Sequence, residues 1–234
     1  MRDKIYWSII NLSRSSPLFR SFIDYIALFF YKTFRPRMLF KFKGETYEYF
    51  YHPYNRTLAS ERIVEIPIAK RLVDQYPPDR VLEVGNVLSH YFPVTHDILD
   101  KYEQFPGVTN QDIVEFKPLH KYDLIISIST LEHVGKDYSE PNNPKKFLEA
   151  LSCLKKMLSK KGVLLFTLPV SFNPYVRKLI YAKKIPVTHS YFLKRTSHLN
   201  EWKEINFPQL DKASAYDSRY ANADYLFIGK LVKK

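Results

Sequence analysis

At 234 residues, with 45% apolar and 16% aromatic side chains, the chain can bury a core, and a disordered or low-complexity protein is excluded. The single cysteine, Cys153, excludes an internal disulfide framework, and the opening residues lack the charged-then-apolar pattern of a secretory leader, which points to a reducing, cytoplasmic setting. A formal net charge of +12, with nine Lys/Arg against three acids in residues 1–45, draws the chain towards lipid headgroups, nucleic acid or phosphorylated molecules without choosing among them.

Residues 17–31 place Leu18, Phe19, Phe22, Ile23, Ile26, Phe29 and Phe30 at helical spacing, with Pro17 suited to the first turn. Arg20 and Asp24 interrupt the run, and it is shorter than the roughly 20 apolar residues that cross a bilayer. The pattern predicts a helix that either packs on its own domain or lies at a lipid surface, with residues 17–37 as the contact. Residues 38–51 alternate around Gly44 and predict a hairpin. Asn55 to Tyr76 reads as a helix that Pro67 kinks or restarts and Pro77-Pro78 ends.

From residue 80 the chain changes to short apolar runs: Arg80–Val84, His96–Leu99, Tyr122–Ser127, Val163–Thr167 and a final Tyr225–Val232. Continuous apolar strands are what a sheet covered on both faces requires, so the sheet is expected to be mainly parallel. A helix starting near Pro144 buries Phe147, Leu151, Leu154 and Leu158 and turns Lys145, Lys146, Lys155, Lys156 and Lys160 to solvent. Tyr191–Arg195, flanked by His189 and His198, reads as an insertion with a partly buried face, and Trp202 as a core anchor. The expected architecture is α/β: a Rossmann-like, mostly parallel seven-stranded sheet with helices on both faces over residues 56–234, preceded by a basic, aromatic helical and hairpin extension over residues 1–55.

Ligands of open parallel sheets bind beyond the carboxyl ends of the strands. The stretch Val81-Leu82-Glu83-Val84-Gly85 ends a buried strand in an acid and a glycine, Asp100 closes the next strand, and Asp112 lies where a third should end. Any one of these acids is equally well a turn former, but three in order at successive strand ends form a pattern. The order VLEVG, HDILDKYE, GVTNQDIVEF, YDLIISISTLEHVG, KKGVLLFTLP resembles the class I S-adenosylmethionine-dependent methyltransferases over roughly residues 60–170.

That resemblance implies S-adenosylmethionine as cofactor. Glu83 and Gly85 would form the turn against its methionine part, Asp100 (or Glu103) would hold the ribose, Asp112 and Ile113 the adenine, and Ser129 and Thr130 the amino-acid end. The family's turn has further glycines, whereas Asn86-Val87-Leu88-Ser89 follow Gly85 here. Ser129-Thr130-Leu131-Glu132-His133-Val134-Gly135 is the candidate reaction centre, with His133 as catalytic base because an imidazole titrates near neutrality. It is similar to the Glu-His-Val motif of quinone-biosynthesis O-methyltransferases, but Ser129 stands where a metal-holding carboxylate would be, so no metal is expected. Asn173-Pro174-Tyr175 reads as an acceptor-side loop or a plain turn.

The expected function is methyl transfer to an oxygen of a small-molecule or lipid-linked saccharide acceptor, in the cytoplasm or at a membrane surface. Nucleic acid comes second as a partner, since no recognisable nucleic-acid module is present. Two rivals follow from the charge and the altered turn: an RNA or protein methyltransferase, and an inactive methyltransferase-like scaffold at a membrane surface.

Overall fold

The computed structural model describes residues 17–34, 37–136, 143–207 and 222–234. Helix α1 (Pro17–Phe34) leads into a hairpin, β1 (Leu39–Phe42) and β2 (Glu45–Glu48), whose turn residues Lys43 and Gly44 both take positive φ (53° and 77°). Paired positive φ angles give a turn whose twist matches that of the two strands. Helix α2 (Arg62–Val73) follows, and then strands β3 (Val81–Val84), β4 (Asp97–Leu99), β5 (Val108–Thr109) and β6 (Tyr122–Ile128). The second half supplies α3 (Lys146–Met157), β7 (Leu158–Pro169), α4 (Pro174–Tyr181), β8 (His189–Arg195), β9 (Trp202–Ile205) and β10 (Tyr225–Val232).

The main sheet has eight strands in the order β5-β4-β3-β6-β7-β10-β8-β9, one more than the seven expected. Strands β5, β4, β3, β6 and β7 pair in parallel, while β10 runs antiparallel to both β7 and β8, and β9 antiparallel to β8. Tyr191–Arg195 is no insertion: it lies in β8, which pairs with β10 on one side and β9 on the other, and Trp202 opens β9.

Strand β6 shows how the two faces are filled. Leu124, Ile126 and Ile128 pack with Ile66 and Ala69 of α2, while Ile125 joins Phe147, Leu151 and Leu154 of α3 on the other side. The hairpin completes the α2 side, where Phe40 and Phe42 are buried with Ile63, Leu193, Trp202 and Leu226.

Asn55 to Tyr76 is not one helix. Asn55 and Arg56 take positive φ (46° and 53°) within a short 3-10 segment, Tyr54–Ala59, and α2 starts only at Arg62. Pro67 lies inside α2 without breaking it. The carbonyl that its missing N–H leaves free, that of Ile63, accepts a 3.0 Å hydrogen bond from Phe50 N–H.

Helix α1 meets the rest of the molecule through few residues. Tyr31 is buried, stacks on Tyr51 at 4.8 Å and donates its hydroxyl to Leu199 O at 3.1 Å; Asp24 approaches Arg56 at 4.0 Å. Phe22, Tyr25, Ile26, Phe29, Phe30 and Phe34 remain exposed. No helix among the described residues is long and apolar enough to cross a membrane.

Candidate active site

Three adjoining cavities open beyond the carboxyl ends of β3, β4 and β6. A small one of about 90 Å³ and a larger one of about 470 Å³ share Gly85, Asp100, Tyr102, Thr130 and His133. A third, of about 600 Å³, adjoins the second through Asn55, Arg62, Ser129 and His133.

Gly85 forms the floor between β3 and β6. Its φ is +89°, and a Cβ there would lie 2.2 Å from Thr130 Oγ1, so only glycine lets these two turns close on each other. The bulky residues after it do not fill the cavity as a group. Leu88 is fully buried in the α2-side core, and Val87, 8% exposed, forms part of the wall.

What holds this glycine-poor turn is Glu83. Its carboxylate is wholly buried; Oε1 accepts from Val87 N (2.9 Å) and Leu88 N (2.8 Å), and Oε2 lies 2.8 Å from His96 Nε2. Glu83 therefore shapes the turn from beneath. Asp100 ties the same turn to the next loop: Oδ2 accepts from Asn86 N (3.2 Å), and Oδ1 from Tyr102 N (2.9 Å) and Glu103 N (2.8 Å). It lines both the small and the larger cavity. Glu103 faces the larger one with its carboxylate 2.7 Å from His90 Nε2.

The small cavity is an apolar slot between Val84, Leu99, Ile113 and Val134, with Asp112 at its edge. Lys146 corrects a sequence expectation: its Nζ is turned inward, 2.7 Å from Asp112 Oδ2, and Lys101 reaches the same oxygen at 3.1 Å. Burial by itself raises the Asp112 carboxyl, but the hydrogen bonds from Lys146, Val114 N–H and Lys101 outweigh it and hold the group below its ordinary value.

The segment after β6 builds the junction of the three cavities. Ser129 takes φ +41°, its N–H bonds to Thr167 Oγ1 (3.0 Å), and its hydroxyl donates to Glu65 Oε1 at 2.5 Å. Thr130 donates to Ile128 O (3.1 Å) and faces the first two cavities. His133 is exposed, packs on Phe172 with ring centroids 4.4 Å apart, and lines all three cavities.

The sequence reading placed Glu132 in the candidate reaction centre without giving it a role, and it missed Glu61 and Glu65. Glu132 lines the third cavity and is 1% exposed, and Glu65 is fully buried behind it. Burial raises both. For Glu65 the neighbouring Glu61 charge adds to that rise, against Arg62 and the hydrogen bonds from Ser129 and Thr167. Asn173 is a helix cap: it accepts from Tyr175 N and Val176 N at the start of α4, and its amide donates to Glu132 O at 2.7 Å. Among the described residues, no group of three His, Cys, Asp or Glu is placed to hold a metal.

The sheet order and the helices packed on its two faces make the fold Rossmann-like. No protein-family model and no curated protein matches it. Among solved structures it is similar to the N-methyltransferase NodS of Bradyrhizobium japonicum in complex with S-adenosylhomocysteine, with 11% identity over 74% of this chain and 87% of that one at a TM-score of 0.47. It is also similar to magnesium protoporphyrin IX methyltransferase of Synechocystis with S-adenosylmethionine bound, with 14% identity over 74% and 79% of the two chains at a TM-score of 0.38.

Proposed function

We propose that the protein transfers a methyl group from S-adenosylmethionine to a small polar acceptor, saccharide-sized or lipid-linked, held in the third cavity. The observation that carries this reading is the arrangement of an apolar slot, an acid-edged middle cavity and a separate polar cavity, meeting at one exposed histidine. An apolar slot with a carboxylate edge suits a flat base with an amino group, and a carboxylate at a strand end suits a pair of hydroxyls.

In this reading Ile113 and Leu99 sandwich the adenine, Asp112 accepts from its amino group, and Asp100 accepts from the ribose. Glu83 and Gly85 keep the turn open, while Ser129 and Thr130 border the amino-acid end. When bound, the cofactor supplies a methyl group on a positively charged sulfur. The chain's contribution is to align the acceptor with that carbon and exclude water, which can account for much of the rate. His133, at the meeting point, is the candidate group for receiving the acceptor's proton. The oxygen acceptor expected from sequence rests on no residue of the third cavity. A cytoplasmic location, with Cys153 free, belongs to the same reading.

Calorimetric titration with S-adenosylmethionine and S-adenosylhomocysteine, on wild type and Asp100→Ala, tests it. Micromolar binding that the substitution weakens at least thirty-fold supports the reading, and absence of binding by wild type overturns it.

A contact with anionic lipid through residues 17–37 is favoured by one observation: Phe22, Tyr25, Phe29 and Phe34 are each more than half exposed on a helix near Lys32 and Arg37. Because α1 touches Arg56 at the rim of the third cavity, docking there would bring that cavity to the surface of the lipid. Sedimentation with phosphatidylglycerol vesicles should recover wild type but not Phe22→Ser/Phe29→Ser/Phe34→Ser; equal recovery of both refutes the contact.

A further inference from the structure

The third cavity is rich in carboxyl oxygen that the protein itself leaves unsatisfied. Glu61, at the start of α2, and Glu132, from the turn after β6, line its inner wall, with Glu65 buried behind them. Glu65 is engaged by the Ser129 hydroxyl and by Arg62 at 3.8 Å. Glu132 Oε2 and Glu61 Oε2 are buried without a hydrogen-bond partner among the described residues, and Glu132 as a whole is 1% exposed. Neither nearby cation hydrogen-bonds these two oxygens: Arg62 Nη1 donates to Ile128 O at 2.9 Å and its Nε faces Glu65, while Arg56 on the rim approaches Asp24 at 4.0 Å.

A buried carboxyl oxygen without a donor is costly, and proteins keep one where a ligand completes it. A hydroxyl acceptor brings a single donor and no charge. An ammonium brings up to three donors and the charge that opposes the carboxylates. We propose that the acceptor is an amine, and that Glu132, assisted by Glu61, binds its ammonium form and takes its proton. The proposal rests on the methyl-transfer reading above.

Burial, joined by the charges of Glu65 and Glu61 and opposed by its own backbone N–H and Arg62, sets the Glu132 carboxyl well above the ordinary carboxylate range, so it can hold a proton that a surface carboxylate would release. The Glu132 carboxylate removes one proton from the ammonium, which frees the nitrogen lone pair. That pair forms the new N–C bond to the methyl carbon as the C–S bond breaks and its electrons stay on sulfur, leaving a neutral thioether and an N-methylammonium. His133, exposed and lining the same cavity, carries the proton outward.

The test uses matched probes, glucosamine with glucose and phenethylamine with phenethyl alcohol, on the S-adenosylhomocysteine complex by calorimetry and with methyl-labelled S-adenosylmethionine for turnover. Wild type should bind at least one amine ten-fold or more tighter than its alcohol and label only the amine. Glu132→Gln, which keeps the shape of the side chain, should lose that preference and at least a hundred-fold in labelling while binding S-adenosylhomocysteine within two-fold of wild type. Glu61→Gln provides a milder second variant, expected to lose part of the preference. Equal binding of amine and alcohol, labelling of an alcohol, no labelling of either amine while S-adenosylhomocysteine binds, or a Glu132→Gln protein that keeps the preference each overturns the amine assignment. Failure of wild type to bind S-adenosylhomocysteine overturns the methyl-transfer reading instead.

Discussion

Replacing Glu83 separates a residue that shapes the turn after β3 from one that would touch the proposed cofactor. The carboxylate is wholly buried and satisfies three donors: Val87 N–H, Leu88 N–H and the His96 ring. Glu83→Ala strands all three. Each buried unsatisfied group costs about 1–3 kcal/mol, and local relaxation recovers part of the sum, so a loss of about 4 kcal/mol is expected. At ~2–4 °C per kcal/mol for a chain of this size, the melting temperature should fall by roughly 8–16 °C.

Glu83→Gln is the informative contrast. The amide oxygen can still accept from Val87 and Leu88, and the amide N–H₂ can donate to His96 Nε2 if the imidazole carries its proton on Nδ1. Only the charge assistance is lost, about 1–2 kcal/mol in all. Urea denaturation and thermal melting give the two losses, and calorimetry with S-adenosylhomocysteine gives the functional consequence. Glu83→Gln should bind within about five-fold of wild type, because the Asn86–Leu88 turn keeps its shape. A Glu83→Ala protein that loses less than ~1 kcal/mol would refute the claim that this carboxylate holds the turn. Unchanged stability in Glu83→Gln together with abolished binding would make Glu83 a direct cofactor ligand instead.

Gly85→Ala forces a side chain into φ +89° with its Cβ 2.2 Å from Thr130 Oγ1; strain and overpacking together should cost about 2–5 kcal/mol in urea denaturation. Adding Thr130→Ala should restore only part of that, since Thr130 Cβ remains 2.8 Å away. Lys146→Met removes the strongest partner of Asp112, whose folded pKa is depressed. A depressed carboxyl contributes stability above its unfolded pKa and loses it as pH falls through the folded value, so the variant's acid-unfolding midpoint should move to higher pH; an unmoved midpoint removes Lys146 from the account. Glu132 is the opposite case: with a raised folded pKa its stability contribution is complete below the unfolded value near 4.5 and declines as pH rises. Glu132→Gln should therefore melt increasingly above wild type between pH 5 and 8, and a pH-independent difference would contradict the burial of an ionisable carboxyl there.

The parts of this fold written in short-range pattern were legible. The runs DLIISI and GVLLFTL became β6 and the core of β7, and Tyr225–Val232 became β10 with both bounds as read. Features set by distant partners were not. Lys146 looks like one more solvent lysine on an amphipathic helix, and only its approach to Asp112, 34 positions away, turns it inward. Pro67 looks like a break, because the donor that replaces its missing N–H comes from Phe50 beyond the helix. The Tyr191–Arg195 stretch mixes aromatic and basic residues because each end of β8 reaches a different neighbour: Arg195 is buried and donates to Ala59 O at 3.0 Å, while Tyr191 packs on Phe42.

Glu61 and Glu65 were hidden for a related reason. Glu65 sits among Val64, Ile66 and Ile68 in a helix whose apolar residues surround it, so spacing alone gives no hint that it is buried against Ser129. The left-handed turn at Ser129 makes the two halves of the site interdependent. It lets one short segment put Thr130 against Gly85 beside the first two cavities and Glu132 beside Glu65 at the third, with His133 facing all three. On the proposed reading, a change that straightens Ser129 would therefore disturb cofactor and acceptor together, whereas Glu132→Gln should disturb the acceptor alone. If the two proved equally damaging to S-adenosylhomocysteine binding, the cavities would have to be one site rather than two.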